Sequence, residues 1–192
     1  MPTVFIDGKS YEFEGRHTLL QWCLDNGIEI PYFCYHPAMS VPTNCRMCLV
    51  EAGNQMRDRA TGEWPVIRWG RKPATACNFP MSDRLYVKTH RTSETIKKSQ
   101  QGVLEYMLIN HPLDCPICDQ AGECPLQVWT YKYGPEGSRF QEAKGHKQKR
   151  VELGPRVVLD QERCINCTRC TRFTSEISKS HQLTIIGRGE KN

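Results

Sequence analysis

The residues best suited to chemistry run from His111 to Cys124 and read H-x3-C-x2-C-x5-C, four potential metal ligands within fourteen residues. A C-x2-C step lets two sulfurs converge on one centre, because the two intervening residues turn without reaching far. Pro112, Pro116 and Pro125 directly follow His111, Cys115 and Cys124. Each proline biases the residue before it away from the helical region, so these ligands are expected on irregular backbone. A histidine at a helix end also has an ordinary reading as a cation favoured by the helix dipole. Three cysteines immediately downstream favour ligation instead. By ligand count the set suits zinc with Cys3His coordination as well as an iron–sulfur core, and spacing alone does not separate the two.

Two more groups follow the same logic. Cys34, Cys45, Cys48 and Cys77 read C-x10-C-x2-C-x28-C. A [2Fe–2S] core needs two thiolates per iron, and plant-type ferredoxins supply them as three close cysteines and one distant one. The first gap here is wider than the plant-type C-x4-C, which demands a looser loop. Tetrahedral zinc is the competitor for four cysteines. Cys164, Cys167 and Cys170 form a C-x2-C-x2-C run, the spacing by which three thiolates wrap three corners of a [4Fe–4S] cube. Position 174, where a fourth cysteine would complete that signature, is Thr, and no cysteine follows Cys170. The fourth ligand then lies beyond residue 192, or the site is open, or it holds a three-iron core. Cys23, the one cysteine outside these groups, reads as a small buried thiol on an apolar helix face.

The elements that must position these ligands are legible from pattern. Thr3 to Phe13 alternates around Asp7-Gly8, a strong hairpin signal. Thr18 to Gln21 has the form of a capping box, with Leu19, Leu20 and Cys23 on one helical face before Gly27. Strands are predicted at Leu49–Glu51, Trp64–Trp69 after a Thr61-Gly62 turn, and Arg84–Lys88. Ser93 caps a helix predicted to run to Asn110 and to deliver His111; a second begins at Cys124-Pro125 and ends at Gly134. Apolar structure resumes at Val157–Leu159. No internal repeat or low-complexity tract is present.

The fold class expected is α+β: a β-grasp [2Fe–2S] ferredoxin-like domain over 1–91, a small helical His/Cys3 domain over 92–133, a basic linker over 134–150 read as a solvated connector, and the start of a [4Fe–4S] ferredoxin-like domain over 151–192. The formal net charge is +5. Three iron–sulfur centres with their thiolates contribute about −4, leaving roughly +1. With no recognition motif, a nucleic-acid partner is not expected. No run of eighteen apolar residues and no signal-like start occur, so a non-secreted chain without membrane insertion is expected. Cysteines concentrated in C-x2-C steps fit metal ligation in a reducing compartment. No Gly-rich dinucleotide fingerprint or nucleophile–base pair appears, so no catalytic residue is assigned.

Taken together, the motifs resemble the N-terminal part of the large iron–sulfur subunit of NADH:quinone oxidoreductase, respiratory complex I. The resemblance rests on Pro31 to His36, Cys45 to Glu51, His111 to Gln127, Arg163 to Phe173 and Gly187-Arg188-Gly189. It implies one [2Fe–2S] cluster on Cys34, Cys45, Cys48 and Cys77, a [4Fe–4S] cluster on His111, Cys115, Cys118 and Cys124, and a second [4Fe–4S] cluster on Cys164, Cys167 and Cys170 with its fourth ligand further along. It implies an electron-transfer chain in a multi-subunit NADH dehydrogenase, between a flavin-bearing NADH-oxidising subunit and other iron–sulfur subunits that lead to quinone. Such a chain sits in the peripheral arm, on the cytoplasmic or matrix side of the membrane. Similar modules occur in diaphorase subunits of NAD-linked hydrogenases, one rival reading. A multi-zinc structural module is the rival of another class.

Overall fold

The computed structural model of the chain describes residues 1–64 and 66–187. Arg188 and Gly189 of the resemblance, and Pro65 of one predicted strand, lie outside the described residues. The first ninety residues build a mixed sheet. Strands β1 (Thr3–Ile6) and β2 (Lys9–Glu12) pair antiparallel across Asp7-Gly8. Both turn residues have positive φ, 50° and 83°, as the tightest hairpin loop requires. The sheet order is β2-β1-β6-β3-β4, with β3 at Leu49–Met56, β4 at Val66–Trp69 and β6 at Leu85–Lys88; β5 (Ala74–Thr75) also pairs with β3. Among the described strands only β1 and β6 pair parallel.

Alternation decides which face is buried. Val4 and Ile6 of β1 and Leu85 and Val87 of β6 turn inward, where they share one core with Leu19, Leu20 and Cys23 of helix α1 (Leu19–Asp25). On the opposite face Phe5 stacks on its cross-strand partner Tyr86, ring centroids 4.4 Å apart. Thr18 caps α1 by accepting from Gln21 N at 3.4 Å. The second half of the expected capping box is not made: the Gln21 side chain donates to Asp25 and accepts from Tyr35 Oη. Strand β3 runs five residues past the predicted Glu51, because its later half is sandwiched between β4 and β6.

Helix α2 (Glu94–Leu108) starts at Ser93, whose hydroxyl accepts from Ile96 N, and its entry is tied to the hairpin by Asp7, which accepts from Thr89 N and Thr89 Oγ1. After the ligand loop, α3 (Pro125–Tyr133) begins with Cys124 at its N-cap and Pro125 in its first turn. Trp129 Nε1 donates to Tyr32 O, and Lys132 pairs with Glu29 at 2.7 Å, docking α3 on the sheet region. A two-stranded ribbon, β7 (Val151–Glu152) with β8 (Val158–Leu159), precedes the last ligand run, and a short helix α4 (Arg169–Arg172) continues into a π-helical turn at Phe173–Ile177.

The segment 134–150 is more than a solvated connector. Lys144 Nζ donates to Leu108 O at 2.8 Å and Ile109 O at 2.9 Å, satisfying carbonyls that the end of α2 leaves open. Gly145 N donates to Asn110 Oδ1, and Arg139 forms a two-point bond with Glu105. These residues fold back onto carbonyls and carboxylates of the neighbouring segments.

Candidate metal centres

The loop between α1 and β3 carries Cys34, Cys45 and Cys48, and all three are buried together with Cys77. Thr43 and Arg46 hold positive φ, 53° and 58°, which a β-branched residue such as Thr43 adopts only under constraint. Backbone groups of Cys34, Met47 and Phe33 favour the charged form of the Cys45 thiol. From the other side α2 fixes the loop: buried Gln100 donates through Nε2 to Met47 O at 3.2 Å.

Within this site the thiols are paired. Cys34 and Cys45 share a hydrogen bond that, with burial, pushes Cys34 up, while the same bond brings Cys45 down to about 6. Cys48 and Cys77 repeat the arrangement: their shared bond raises Cys48 and lowers Cys77. The Cys45 charge is felt at both members of the second pair, so the two pairs face one another. Among the described residues, no three His, Cys, Asp or Glu side chains gather about one point as a single-ion site requires. A two-plus-two grouping of sulfurs matches the needs of a two-iron core, in which each iron takes two thiolates, so the donor set fits that group.

The second set is looser. His111 follows α2, Cys115 opens a 3-10 turn (Cys115–Ile117), and Cys124 heads α3. Cys118 and Cys124 are half-buried, Cys115 is exposed, and the four donors are not gathered around one point. Burial first, then the Lys144 charge, lowers the His111 pKa, which keeps the ring neutral, as a ligating imidazole must be. Lys144 therefore holds the place at the helix end that a charged His111 would otherwise fill. The donors fit a His/Cys3 cluster by type.

In the third set Cys164 and Cys170 are exposed and Cys167 half-buried. Asn166 and Thr168 carry positive φ, 55° and 62°, and Asn166 N points at Cys164 Sγ, 3.4 Å away. Alternating left-handed residues of this kind form a concave run of N–H donors suited to an anionic centre.

One packed cluster joins the three sets. Cys34 and Cys45 are buried with Phe33, Met47, Leu104 and Leu126, and Cys124 and Cys167 pack against the same group. A cavity of about 880 Å³ lies among them, with Cys45, His111 and Cys164 on its walls. Asn44 Nδ2 donates to Asn166 O, tying the first ligand loop to the third. The positioning side chains Gln100, Asp114, Lys144 and Arg172 were not singled out by sequence reasoning. No periodicity or spacing marks Gln100 or Lys144; Asp114, directly before Cys115, and Arg172, two residues after Cys170, had their places beside cysteines as a signal.

These features define a chain with three cysteine-rich sets of side chains of the metal-ligating type. Residues 1–92 match the family model of a 2Fe-2S iron-sulfur cluster binding domain, residues 100–139 that of the NADH-ubiquinone oxidoreductase-G iron-sulfur binding region, and residues 154–192 that of the NADH-quinone oxidoreductase subunit 3 ferredoxin-like domain. The chain belongs to the family of the 75 kDa iron–sulfur subunit of NADH-quinone oxidoreductase and corresponds to its N-terminal region. It is 44% identical over 190 residues to the NADH-ubiquinone oxidoreductase 75 kDa subunit of Reclinomonas americana, covering 98% of this chain and 25% of that protein. It is 40% identical over 190 residues to the NADH-quinone oxidoreductase member of the same family from Rickettsia typhi, covering 99% of this chain and 26% of that one. The chain thus spans about a quarter of the length of these curated relatives. A crystal structure of NAD+-reducing [NiFe]-hydrogenase in the H2-reduced state is similar with a TM-score of 0.78 at 30% identity, over 98% of this chain and 72% of that chain. Among the described residues no helix is long and apolar enough to cross a membrane.

Proposed function

We propose that this chain relays single electrons within an NADH-quinone oxidoreductase, from a flavin-bearing NADH-oxidising neighbour toward the quinone-reducing subunits. The observation that carries the reading is the joining of all three ligand sets through one packed cluster, in which Cys34 and Cys45 of the first set are buried and against which Cys124 and Cys167 pack. Iron–sulfur clusters supply one-electron acceptors whose potentials follow charge, exposure and hydrogen bonds to sulfur. The residues do the rest. Cys34 with Cys45 would hold one iron of a [2Fe–2S] core and Cys48 with Cys77 the other. His111, Cys115, Cys118 and Cys124 would hold a [4Fe–4S] core. Cys164, Cys167 and Cys170 would hold three corners of another, the fourth resting on a ligand outside these 192 residues. Phe33, Met47, Leu104 and Leu126 pack around Cys34 and Cys45 and bury them.

On this reading the sheet domain is a β-grasp ferredoxin over 1–91, followed by a helical unit over 92–133 and the start of a ferredoxin-like unit over 151–192, joined by 134–150. The ranges matched by the three family models support that division. The chain would sit in the peripheral arm of the complex, on the cytoplasmic or matrix face of the membrane. The likeness to the NAD+-reducing hydrogenase favours a second reading, a diaphorase-type subunit of an NAD-linked hydrogenase.

Anaerobic purification tests the first claim: a brown protein with iron, acid-labile sulfide and electron paramagnetic resonance signals of reduced two- and four-iron clusters is expected. A colourless protein with stoichiometric zinc overturns it. Subunits that co-purify with the chain separate the two complexes, since quinone-module and hydrogenase partners differ.

A further inference from the structure

Arg172 is the one arginine buried in the described structure, 8% exposed, and it belongs to the third ligand segment while contacting the first. Its Nη2 donates to the carbonyl of Cys34, its Nη1 to Ser40 O at 2.6 Å, and its Nε to Thr168 Oγ1 at 3.2 Å. All three partners are neutral oxygens. A guanidinium buried among neutral oxygens is costly unless an anion stands near it. Alongside it, Arg169 Nη2 donates to Tyr35 O at 2.6 Å, and Glu176 accepts from Ser40 N at 2.7 Å and from the Ser40 hydroxyl. Three charged side chains of one helical segment therefore grip the main chain of the loop that carries Cys34.

We infer that Arg172 is a positioning residue for the first cluster: it fixes the backbone at Cys34 and sets a permanent positive charge beside the thiolates, raising that cluster's reduction potential and tying it to the segment that holds Cys170. The inference rests on the [2Fe–2S] reading of Cys34, Cys45, Cys48 and Cys77. A two-iron core with four thiolates carries about −2 when oxidised and gains another negative charge on reduction. That charge adds to the Glu176 carboxylate, which already interacts with Arg172, and the reduced form gains more from it. Arginine suits the role because its fork bonds two carbonyls at once and keeps its charge at every physiological pH.

The test is a potentiometric titration of the [2Fe–2S] resonance signal in the anaerobically purified full chain, with iron counted per chain, for wild type, Arg172→Gln, Arg172→Lys and Glu176→Gln. Arg172→Gln is expected to disfavour reduction about tenfold, about 59 mV for one electron. Arg172→Lys, which keeps the charge, is expected to stay within about threefold of wild type. Glu176→Gln removes an anion from the same grip, so its potential should not fall. An unchanged potential in Arg172→Gln overturns the inference, as does an equal fall in the lysine variant or a matching fall in Glu176→Gln. If Arg172→Gln binds no iron, the lysine variant decides, and loss of the cluster there too reduces Arg172 to a structural role. A wild type without the two-iron signal defeats the cluster assignment itself and is distinguishable from all of these.

Discussion

Arg163 donates to Asp114 through Nε and Nη2, both at 3.2 Å. Asp114 immediately precedes Cys115, and Arg163 immediately precedes Cys164, so one ion pair clasps the second and third ligand sets at their first thiols. Lys149 joins the same carboxylate and also bonds Glu162 at 2.9 Å, while Asp160 accepts from Arg163 at 3.1 Å. The linker and both ligand segments thus meet in one charge network.

Lys149 first, and Arg163 after it, holds the Asp114 carboxyl below its usual range, and Lys149 does the same for Glu162. A carboxyl whose folded pKa is depressed contributes stability that is present above its unfolded value and is lost as pH falls through the folded one. Asp114→Asn should therefore be less stable than wild type at pH 6, with the difference vanishing as pH drops below the ordinary aspartate value of 3.8. Denaturant melts at both pH values check this. Because Lys149 is exposed and Asp114 only half-buried, 0.5 M salt should shrink the difference at pH 6.

His111→Cys replaces a neutral donor by a thiolate. On the proposed ligand assignment the cluster on that set would become more negative and harder to reduce, a fall of about tenfold in the reduction equilibrium, roughly 59 mV or more. Redox titration of the four-iron signal in the variant reads it directly. An unchanged midpoint would remove the charge argument for the histidine.

The hairpin was legible because Asp7-Gly8 has few conformations open to it. Helices α2 and α3 were marked by Ser93 and by Cys124-Pro125, local signals that the structure uses as read. What pattern could not reveal was set by tertiary contact. Strand β3 continues through Asn54 to Met56, polar at its end, because β4 and β6 flank it. The lysines of 144–149 look like a solvated run until the open carbonyls of α2 and the Asp114 carboxylate are placed beside them. Arg172 reads as one more surface cation, since nothing local says that the Cys34 carbonyl lies within its reach.

Cys23 is fully buried in the sheet core, and burial, then the nearby Asp7 charge, pushes its thiol up to about 12. It should stay protonated and inert. Cys23→Ala is expected to leave iron content unchanged and to cost about 1–2 kcal/mol of stability from the small void. Cys23→Ser should cost more, about 1–3 kcal/mol, by burying a hydroxyl without a partner. In the native protein an alkylating reagent at pH 8 should leave Cys23 unmodified, as mass mapping would show. Lost iron in the alanine variant would place this thiol among the ligands.

Lys144 caps α2 from 35 residues away, its ammonium bonded to Leu108 O and Ile109 O. A cation there satisfies open carbonyls and complements the negative end of the helix, worth about 1 kcal/mol. Lys144→Met keeps the stem and removes both bonds, so it should lower stability by about that amount. Its second effect falls on His111, the next ring along the chain from those carbonyls, because the Lys144 charge helps keep that imidazole neutral. With the lysine gone, the His111 pKa should rise toward its ordinary value of 6.5 in the cluster-free chain, which nuclear magnetic resonance titration of the ring measures. Loss of stability without any rise would make Lys144 a helix cap alone; both together would mean that one ammonium ends the helix and prepares its neighbour to bind metal.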